Sequence, residues 1–551
     1  MTRTAGSSPS PPRRRGGALA RRCAVLAAPA LLAGLLALSS VAAAPERPRL
    51  HVAPAGSDTA PCTSAAPCAS LDRAYRLAAP GQVVELAAGA YPAQRLRFDE
   101  AKTAGDEVVF QPAPGASVRL AGFSTGDTRR PDGARHFELR DVIVDGVVRL
   151  RWGTEDVTLR GVDAAGLVIT SARDVRVLGG DYGPMIDGVS HINACGVPGC
   201  FPAEDVLIDG ALFHDYTVTD PAKHSECLLI WPGRRVTIRR STFRNCTDFD
   251  ILVKPYNTAL VGLPGEITIE NSVLDDPIVG DDCRCRRGGN AIAFTAGSGE
   301  RWAGAVARYN SALGGIRVDP EVTGAVVEGN VARKDSRSSC QPNVRFAHNV
   351  WSGVACAATD RRSPLEGVFA SAQPGAFDAR PRRGSAAVGG GSAETAPAVD
   401  YGGRLRPLGL AADAGAWQLE PAGVFAGRSV GSARIGMRRA DVRAIYGAPR
   451  ARAVVRLGDG GGATLEEHRV RGGRVRLWYR SDLVVAAGTT SSFYRTPAGL
   501  AVGTSVREAA PGEGCRRAAS GLWLRTAPSR RSVLAELVVV RPGLRPACTA
   551  R

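Results

Sequence analysis

The chain has 551 residues and a formal net charge of +17, from 70 basic and 53 acidic residues. Only four of the basic residues are lysine, and the arginines are scattered through a chain rich in alanine and glycine. The sequence shows neither the arginine stripe nor the aromatic ladder typical of nucleic-acid-binding proteins, so we expect no nucleic-acid partner. The charge suits an anionic polysaccharide, although charge alone does not select one.

The N-terminus combines six arginines, no acidic residue before Ala44, and an apolar run from Ala24 to Ala44. A charged start, an apolar stretch and small residues at a cleavage site are typical of a secretory signal peptide, here residues 1–44. The mature protein would then be secreted, extracellular or held at the cell surface. The alternative is an uncleaved anchor, because a run of this length could just span a bilayer. Without that anchor we expect no stable membrane insertion.

Residues 45–105 predict an N-terminal cap and the first coils of a repeating structure. An alternating strand begins at Leu50, and a Gly-Ser-Asp turn follows at 56–58. A short helix is predicted over Ser70–Ala78, and a second alternating strand ends at Gly89–Tyr91.

Short phrases with an apolar residue at every second position recur within residues 106–420. Each phrase predicts a strand with one buried face, and its fifth residue is the predicted corner, where the backbone turns tightly. One strand and one turn cannot bury that face alone, whereas stacked copies can, which predicts a parallel β-solenoid. The phrases begin at Val157, Val175, Val206, Val236, Ile267, Val306, Val326 and Val344.

The spacing of the phrases predicts loops. Successive phrases start 18 to 39 residues apart, whereas one coil of three short strands needs roughly 18 to 25 residues. The excess residues must leave the solenoid, and such insertions tend to gather on one face. The expected loops cover residues 185–204, 214–226, 255–266 and 279–291. Asparagines at three predicted corners, Asn271, Asn310 and Asn330, indicate a ladder of turns.

The N-terminal segment resembles that of right-handed parallel β-helix proteins of the pectate-lyase-like superfamily. Gln82 departs from the aspartate usual in those proteins, and the stretch 385–417 resembles the closing segment of secreted members. The resemblance implies an all-β fold, a right-handed parallel β-helix with an N-terminal cap helix and a closing segment near residue 420. It does not choose an activity, because this solenoid carries lyases, hydrolases and non-catalytic adhesins. The matching residues are Gly56, Ser57, Asp58, Gly81, Val83, Gly89 and Tyr91.

Residues 427–551 predict a separate small α+β domain. The segments 432–449 and 498–515 align as two copies of a strand, a glycine, a helix and a turn. The arrangement is similar to small secreted or envelope-associated modules built from such halves, including β-lactamase-inhibitor-like ones. We expect this domain to fold alone and to bind rather than catalyse, because it has one histidine, His468, and no paired carboxylates in a clear cleft.

Two successive coils carry a column of polar side chains. Aligning the segment 224–231 with the segment 248–255, a shift of 24 residues, pairs His224 with Asp248 and Glu226 with Asp250. Strand alternation then places these four side chains and Lys254 on the outer face, about 4.8 Å apart from coil to coil. The same alternation predicts inward side chains at Cys227, Leu229, Phe249, Ile251 and Val253.

Two reactions fit this column. In β-elimination of a uronate, the reaction that the resemblance admits, Ca²⁺ held by Asp248, Asp250 and Glu226 would neutralise the sugar carboxylate. Lys254 would then remove the proton, while His224 completes the column. In glycoside hydrolysis, paired carboxylates would act as acid and base or nucleophile. The alternative interpretation is a solvated solenoid surface without chemistry.

The predicted loops and strand ends offer further candidates. His191 and His214 could contact a sugar or could simply anchor a loop. Trp231 and Tyr256 could stack on a pyranose ring, although strand parity directs Trp231 inward. We therefore predict a secreted monomer that binds or processes a polysaccharide, with a lyase favoured over a glycoside hydrolase. The alternative is a non-catalytic surface or matrix protein whose solenoid displays binding loops.

Twelve cysteines follow Cys23, and an even number in an exported chain predicts disulfide bonds. The connectivity of Cys227, Cys246, Cys283 and Cys285 stays open, and a zinc site at the last two is the alternative. Sequence spacing favours the pairs Cys62–Cys68, Cys195–Cys200, Cys340–Cys356 and Cys515–Cys548.

Overall fold

The short alternating motifs predicted as strands form one side of a parallel β-helix, because their alternating apolar residues all face one interior. Twelve strands pair in parallel in the order in which they occur along the chain. Val157, Val175, Val206 and Val236 lie directly beside one another, and all four are buried. This first side consists of Leu50–Val52, Val83–Leu86, Val108–Pro112, Arg135–Arg140, Glu155–Arg160, Arg173–Leu178, Ala203–Asp209, Gly233–Arg239, Gly265–Glu270, Ala305–Arg308, Ala325–Glu328 and Val344–Ala347.

The remaining solenoid strands form a second and a third side. Three long strands, Ile143–Leu150, Asp163–Thr170 and Ser311–Val318, run through both sides and shift register where they bend. The all-β parallel β-helix predicted from the sequence is therefore confirmed. The second side also contains Gly89–Tyr91, Val118–Leu120, Asp181–Tyr182, Met185–Ile186, Leu212–Thr217, Thr242–Cys246, Val273–Leu274, Val331–Arg333, Val350–Trp351 and Arg361–Arg362, and the third side Gln94–Leu96, Phe123–Thr125, Ser190–Asn193, Leu228–Trp231, Ile251–Val253 and Asn290–Phe294.

The structure is a computed structural model. The predicted signal peptide, residues 1–44, and His224 lie outside the residues that it describes. Within the described ranges, no helix is long and apolar enough to cross a membrane. The described residues are 48–546 without 103–104, 128, 221–224, 276–288, 298, 334–339, 393, 405, 407–411, 420–422, 471, 507–514 and 528–529.

A helix, Leu71–Leu77, lies where the sequence predicts the cap helix. Ser70 is its N-cap, and the Ser70 Oγ accepts the N–H of Arg73 at 3.1 Å, which satisfies one of the free donors at the helix start. The carboxylate of Asp58 in turn accepts the Ser70 N–H at 2.8 Å. The helix buries Tyr75 against the first coils, where its hydroxyl donates to the carbonyl of Arg135 at 2.7 Å. Two further short helices of the solenoid region are Thr258–Val261 and Leu365–Val368.

One corner position of each coil has a left-handed backbone. The sequence predicts it at the fifth residue of each phrase, which holds for the earlier phrases but is wrong for Asn310 and Asn330. The cause is a register shift: Ile267 lies beside Ala305 rather than beside Val306, so the phrases from Val306 and Val326 are displaced by one residue. The phrase from Val344 lies beside Ala325 and is again in the predicted register. The corner residues, with φ between 45° and 80°, are Gly161, Gly179, Gly210, Arg240, Asn271, Tyr309, Gly329 and His348.

The residue after this corner carries a ladder of hydrogen-bonding side chains along the solenoid. Each ladder side chain accepts the backbone N–H of the residue one coil earlier, so that these buried donors are paired. The Asn330 Oδ1 accepts the N–H of Asn310 at 2.9 Å, and the Asn330 Nδ2 donates to the carbonyl of Ala307 at 2.8 Å. The predicted asparagine ladder is therefore confirmed at Asn310 and Asn330. Its members are Ser241, Ser272, Asn310, Asn330, Asn349 and Asp360.

Asp360 is the last member of the ladder. Its carboxylate accepts the backbone N–H and the side-chain N–H of Asn349, at 2.9 and 3.2 Å. It also accepts the indole N–H of Trp351 and the backbone N–H groups of Cys356 and Ala357. Five donors therefore converge on this one side chain.

The closing segment packs against the ladder corner and buries an arginine. The guanidinium of Arg406 is 3 % exposed, donates to the Asn271 Oδ1 at 2.8 Å and lies 4.8 Å from the centre of the Tyr309 ring. Asn271 therefore binds the closing segment rather than the ladder, and Ser272 takes the ladder position. Asp400 and Asp413, also of this segment, are buried as well.

Residues 424–546 form a structure with a different architecture from the solenoid. A seven-stranded antiparallel sheet carries the helix Arg439–Tyr446, and Val442 of this helix is buried in a separate apolar cluster. Three short strands, Val424–Phe425, Ser429–Val430 and Ala433–Arg434, precede the helix. In spatial order the sheet contains Ala451–Arg456, Gly462–Val470, Gly473–Arg480, Leu483–Thr489, Arg530–Val540, Leu522–Ala527 and Cys515–Ala519.

The two segments predicted to be copies of one another make matching hydrogen bonds. In the first segment the Gly436 N–H donates to the carbonyl of Val484 at 2.7 Å. In the second, the Gly503 N–H donates to the carbonyl of Leu534 at 2.8 Å. The region that corresponds to the helix in the second segment, 507–514, lies outside the described residues. Independent folding of 427–551 remains a prediction.

Four disulfide bonds are present in the described residues. Three of them, including Cys195–Cys200, are the pairs favoured by sequence spacing. The fourth joins Cys227 to Cys246, two of the four cysteines whose partners the sequence does not predict. Cys515 is also disulfide-bonded, while its predicted partner Cys548, and Cys283 and Cys285, lie outside the described residues.

We predict that Asn330→Ala lowers the stability of the solenoid by about 2–3 kcal/mol, because it leaves the buried N–H of Asn310 without an acceptor. The expected signature is a lower Tm together with faster hydrogen exchange at the Asn310 amide. Ser352→Ala is the control, since the Ser352 hydroxyl makes no hydrogen bond in the described part of the chain. Unchanged exchange at Asn310 in the Asn330 variant would contradict a structural role for the ladder.

Candidate functional site

The predicted polar column lies on the third side, but in a register shifted by one residue. Leu228 lies beside Ile251, a shift of 23 residues, so the predicted 24-residue alignment of Cys227 with Ile251 is wrong. The residues Cys227, Ile251 and Val253 do face the interior, as predicted. Leu229 and Phe249 do not, because they belong to a separate apolar cluster on the outer face.

The three predicted carboxylates are less accessible than a solvated outer face implies. Glu226 is 1 % exposed and Asp250 5 % exposed, while Asp248 is half-buried. Among the described residues, no group of three or more histidine, cysteine, aspartate or glutamate side chains is arranged to hold a metal ion. The Ca²⁺ site at Asp248, Asp250 and Glu226 therefore remains a prediction, as does the role of His224.

Lys254, by contrast, lies on the outer face beside two aromatic rings. Its Nζ is 5.3 Å from the centre of the Trp231 ring, and the rings of Trp231 and Tyr256 are 4.0 Å apart. Tyr256 is 52 % exposed. Inward parity of Trp231 is wrong, because the neighbouring Ile230 faces the core and Trp231 packs with the outer cluster. An ammonium group beside an aromatic face is attracted by the ring quadrupole.

Outward side chains of the third side line up from coil to coil, because the strands pair in register. We call this row the outer column. It places Arg149 two coils before His191, and each step along it measures about 4.8 Å. The outer column consists of Arg95, Ser124, Arg149, Val168, His191, Leu229, Leu252, Ala293 and Arg317.

The next outward position along the strands forms a second row. Thr170 lies beside Asn193 and Asn193 beside Trp231, and the side chains of Thr170 and Asn193 share a hydrogen bond of 2.7 Å. Arg151 follows Arg149 at the corresponding position one coil earlier. The two rows together place cationic, amide and aromatic groups along one face, a combination suited to sugar hydroxyls and rings.

Three cations of this face differ from arginines of the first side in their pairing, whereas Arg95 and Arg317 at the two ends of the outer column have ion pairs. On the first side, outward arginines bind carboxylates: Arg160 lies 2.6 Å from Glu138, and Arg239 lies 2.9 Å from Asp209. Arg149, Arg151 and Lys254 have no carboxylate within ion-pairing distance anywhere in the described residues. Burial, together with the nearby charge of Arg149, lowers the pKa of Arg151.

His191 lies on a strand of this face rather than in a loop. Burial lowers the pKa of His191 below its ordinary value, and the charge of Arg149 lowers it further. Its ring is therefore neutral at neutral pH, and its Nδ1 is buried with no hydrogen-bond partner among the described residues. A neutral imidazole on the same row as the Arg149 guanidinium, two coils away, can accept a proton from an anionic ligand that the guanidinium holds.

His214 has a different environment. Its Nδ1 lies 2.6 Å from the Asp215 carboxylate and its Nε2 lies 2.8 Å from the Asp181 carboxylate. The neighbouring Tyr216 is buried, with its hydroxyl 2.6 Å from the Ser190 Oγ. Since both ring nitrogens of His214 are engaged, the structural role considered from the sequence suits it better than sugar binding.

We therefore define the candidate groove by Arg149, Arg151, His191, Trp231 and Lys254. The sequence predicts only part of it. The residue types of Lys254 and His191 make them candidates from the sequence. The two arginines become candidates only when the pairing of the coils shows which residues lie beside them. They alternate with the buried Val148 and Leu150, so their parity is outward, but only the coil pairing shows what lies beside them.

The sequence matches no family model and no curated protein. Among solved structures, it is similar to the pectate lyase Pel9A, with 15 % identity, a TM-score of 0.33, and coverage of 68 % of this chain and 96 % of that chain. A rhamnogalacturonan lyase has 13 % identity, a TM-score of 0.31, and coverage of 59 % and 91 %. PfbA, a surface adhesin of Streptococcus pneumoniae, has 11 % identity, a TM-score of 0.30, and coverage of 49 % and 70 %. At these values no argument about function follows.

We predict that His191 titrates below about 6.5, the ordinary value for histidine, in an NMR titration of the full chain. Arg149→Gln should raise the pKa of His191 but leave it below that value, because burial is the larger cause. The unfolded state binds this proton more readily, so the contribution of His191 to stability is present above pH 6.5 and decreases as pH falls. Arg362→Gln, at an exposed position in another part of the solenoid, is the control. An ordinary pKa for His191 would contradict its burial.

Proposed function

We propose that this protein binds an acidic polysaccharide along the candidate groove and cleaves it at a uronate by β-elimination. The observation that supports the proposal is the contrast in charge pairing. Arg149, Arg151 and Lys254 keep their cationic groups free of carboxylates, whereas outward arginines of the first side are paired. Unpaired, aligned cations attract a polyanion, and the aromatic groups beside Lys254 offer a surface for a sugar ring.

The residues of the groove divide between binding and chemistry. Arg149 and Arg151 would hold the uronate carboxylate, since the planar guanidinium can donate two hydrogen bonds to it. Their charge also stabilises the electron density that moves towards the carboxylate when the neighbouring C5 proton leaves. Lys254, which lies over the Trp231 ring, would bind the carboxylate of a neighbouring sugar.

His191 is the proton acceptor in this proposal. Its neutral ring would take the proton from C5 of the uronate, and the electrons of that bond would form the C4–C5 double bond. The C4–O4 bond then breaks, its electrons pass to O4, and O4 takes a proton from water. This assignment differs from the sequence-based hypothesis, in which Lys254 is the base, and the two are separable by experiment.

A binding protein without catalysis is the second candidate, because the same unpaired cations would support it. Incubation of the full mature chain with galacturonate, mannuronate–guluronate and glucuronate polymers, with and without Ca²⁺, distinguishes the two. A neutral polysaccharide and duplex DNA serve as controls for sugar and for charge. New ultraviolet absorbance from unsaturated ends identifies a lyase, whereas retention without product identifies a binder. Failure to bind any uronate polymer contradicts both.

We predict that His191→Gln lowers turnover by at least about 100-fold while leaving the affinity for the polymer unchanged. In the unmodified protein, kcat/KM should fall as pH decreases through the pKa of His191, because the protonated ring cannot accept the C5 proton. Lys254→Met should instead weaken binding and reduce its dependence on salt, and Lys254→Arg should restore both. Loss of product with intact binding in Lys254→Met would assign the base to Lys254 and overturn the role given to His191.

A further inference from the structure

A cavity of about 630 Å³ lies between the cap helix and the first strand of the third side. One wall comes from the helix, including Arg73 and Arg76, and the other from the strand that contains Arg95. Arg97 follows that strand and lines the cavity too. Four arginines and two aspartates, Asp58 and Asp72, therefore surround this space, and it carries an excess of positive charge.

The two aspartates are already engaged within the protein. Asp58 accepts hydrogen bonds from Ala69 and Ser70. Asp72 lies 2.6 Å from the Arg97 guanidinium and 3.2 Å from that of Arg76. Burial alone would raise the pKa of Asp72, but the hydrogen bonds from Arg97 and the charge of Arg76 lower it below its ordinary value. Asp72 is therefore ionised at neutral pH and orients two of the arginines.

The other two arginines keep charge available for a ligand. The Nε of Arg73 is buried and has no hydrogen-bond partner in the described chain. Arg95 has one ion pair, with Asp132 at 3.8 Å, and both side chains are substantially exposed. Exposed pairs of this length contribute little free energy, so Arg95 can exchange that partner for another anion. Arg73 has no ion pair within the described residues, so an anion in the cavity would be its first carboxylate-like partner.

The cavity adjoins the candidate groove through the outer column. Arg95 is the first member of that column, Arg149 the third and His191 the fifth. Leu252, which precedes Lys254 by two residues, is the seventh. At about 4.8 Å for each strand, the cavity lies about 29 Å from the coil that carries Lys254. A polymer lying along the third side would therefore reach the cavity with the end that passes Arg149.

We infer that this cavity is a distal subsite for an acidic group, a carboxylate or sulfate, of the same polysaccharide chain that occupies the groove. Arg73 and Arg95 bind the group, and Asp72 positions the neighbouring guanidinium groups. The inference rests on the proposed function and adds a length requirement to it. Chains long enough to span the groove and the cavity bind more tightly than chains that fill only the groove.

The test uses the full mature chain and size-fractionated uronate oligomers. Short oligomers, of about three sugars, cover the groove alone, and long oligomers, of about eight or more, span the roughly 29 Å to the cavity. Binding of each length is measured by calorimetry for the unmodified protein, for the double variant Arg73→Gln/Arg95→Gln, and for Arg362→Gln as a control. Circular dichroism and Tm establish that each variant is folded, and Arg73→Lys/Arg95→Lys provides a charge-conserving replacement.

The expected result is a loss of about tenfold in affinity for long oligomers in the glutamine variant, equivalent to about 1.4 kcal/mol, with short-oligomer binding unchanged. The lysine variant should lose less, and the control variant nothing. Equal losses for both lengths, or no loss for either, would overturn the distal subsite while leaving the proposed function intact. If the unmodified protein binds neither length, the proposed function itself fails, and the subsite fails with it.

Discussion

The register of backbone pairing between successive coils is the constraint on which the rest of the structure depends. Side chains alternate along each strand, so a register difference of one residue exchanges the buried and the exposed sets. In-register pairing aligns apolar residues inside the solenoid, where Tyr182, Phe213 and Phe243 stack with their ring centres 5.1 Å apart. The same pairing aligns Arg149 and His191 outside it. The core and the candidate groove are therefore two results of one arrangement of hydrogen bonds.

Charge pairing distinguishes two faces that are otherwise built alike. Both the first and the third side present outward arginines on parallel strands. On the first side a carboxylate on the same or a neighbouring coil neutralises each of the examples described, and the resulting ion pairs leave little field for a ligand. On the third side Arg149 and Arg151 have no paired carboxylate within the described residues, so the electrostatic potential at this face is more positive. Solubility alone does not require such a concentration of one sign of charge on one face.

The sequence predicts the architecture well and the groove only in part. Alternation at Val157 and its equivalents is enough to predict stacked strands. The sequence also predicts a short helix over Ser70–Ala78, and the structure has it at Leu71–Leu77. The sequence does not show which residues of successive coils lie side by side. Val306 looks like the equivalent of Ile267, but Ala305 lies beside Ile267, because the hydrogen bond between the ladder residues Ser272 and Asn310 sets the register of their coils.

The same limitation affects the candidate site. A shift of 24 residues aligns the polar side chains of two coils well, whereas the actual shift is 23, and the difference moves Leu229 and Trp231 to the outer face. The residues of a loop between two strands follow no periodic pattern, so the sequence alone does not give the exact number of residues in a coil. Arg149 and His191 are 42 positions apart in the chain, and only the pairing through Val168 brings them onto one row.

The end of the ladder shows how a chain of this kind can define its own length. An asparagine side chain both accepts and donates, so it passes the pattern to the next coil. An aspartate side chain has no N–H, and at Asp360 five donors converge on the carboxylate oxygens. The replacement of one amide nitrogen by oxygen thus leaves this position of the last coil with no side-chain N–H to donate to a ladder residue of a further coil. The side chain that ends the ladder is therefore the one that cannot continue it.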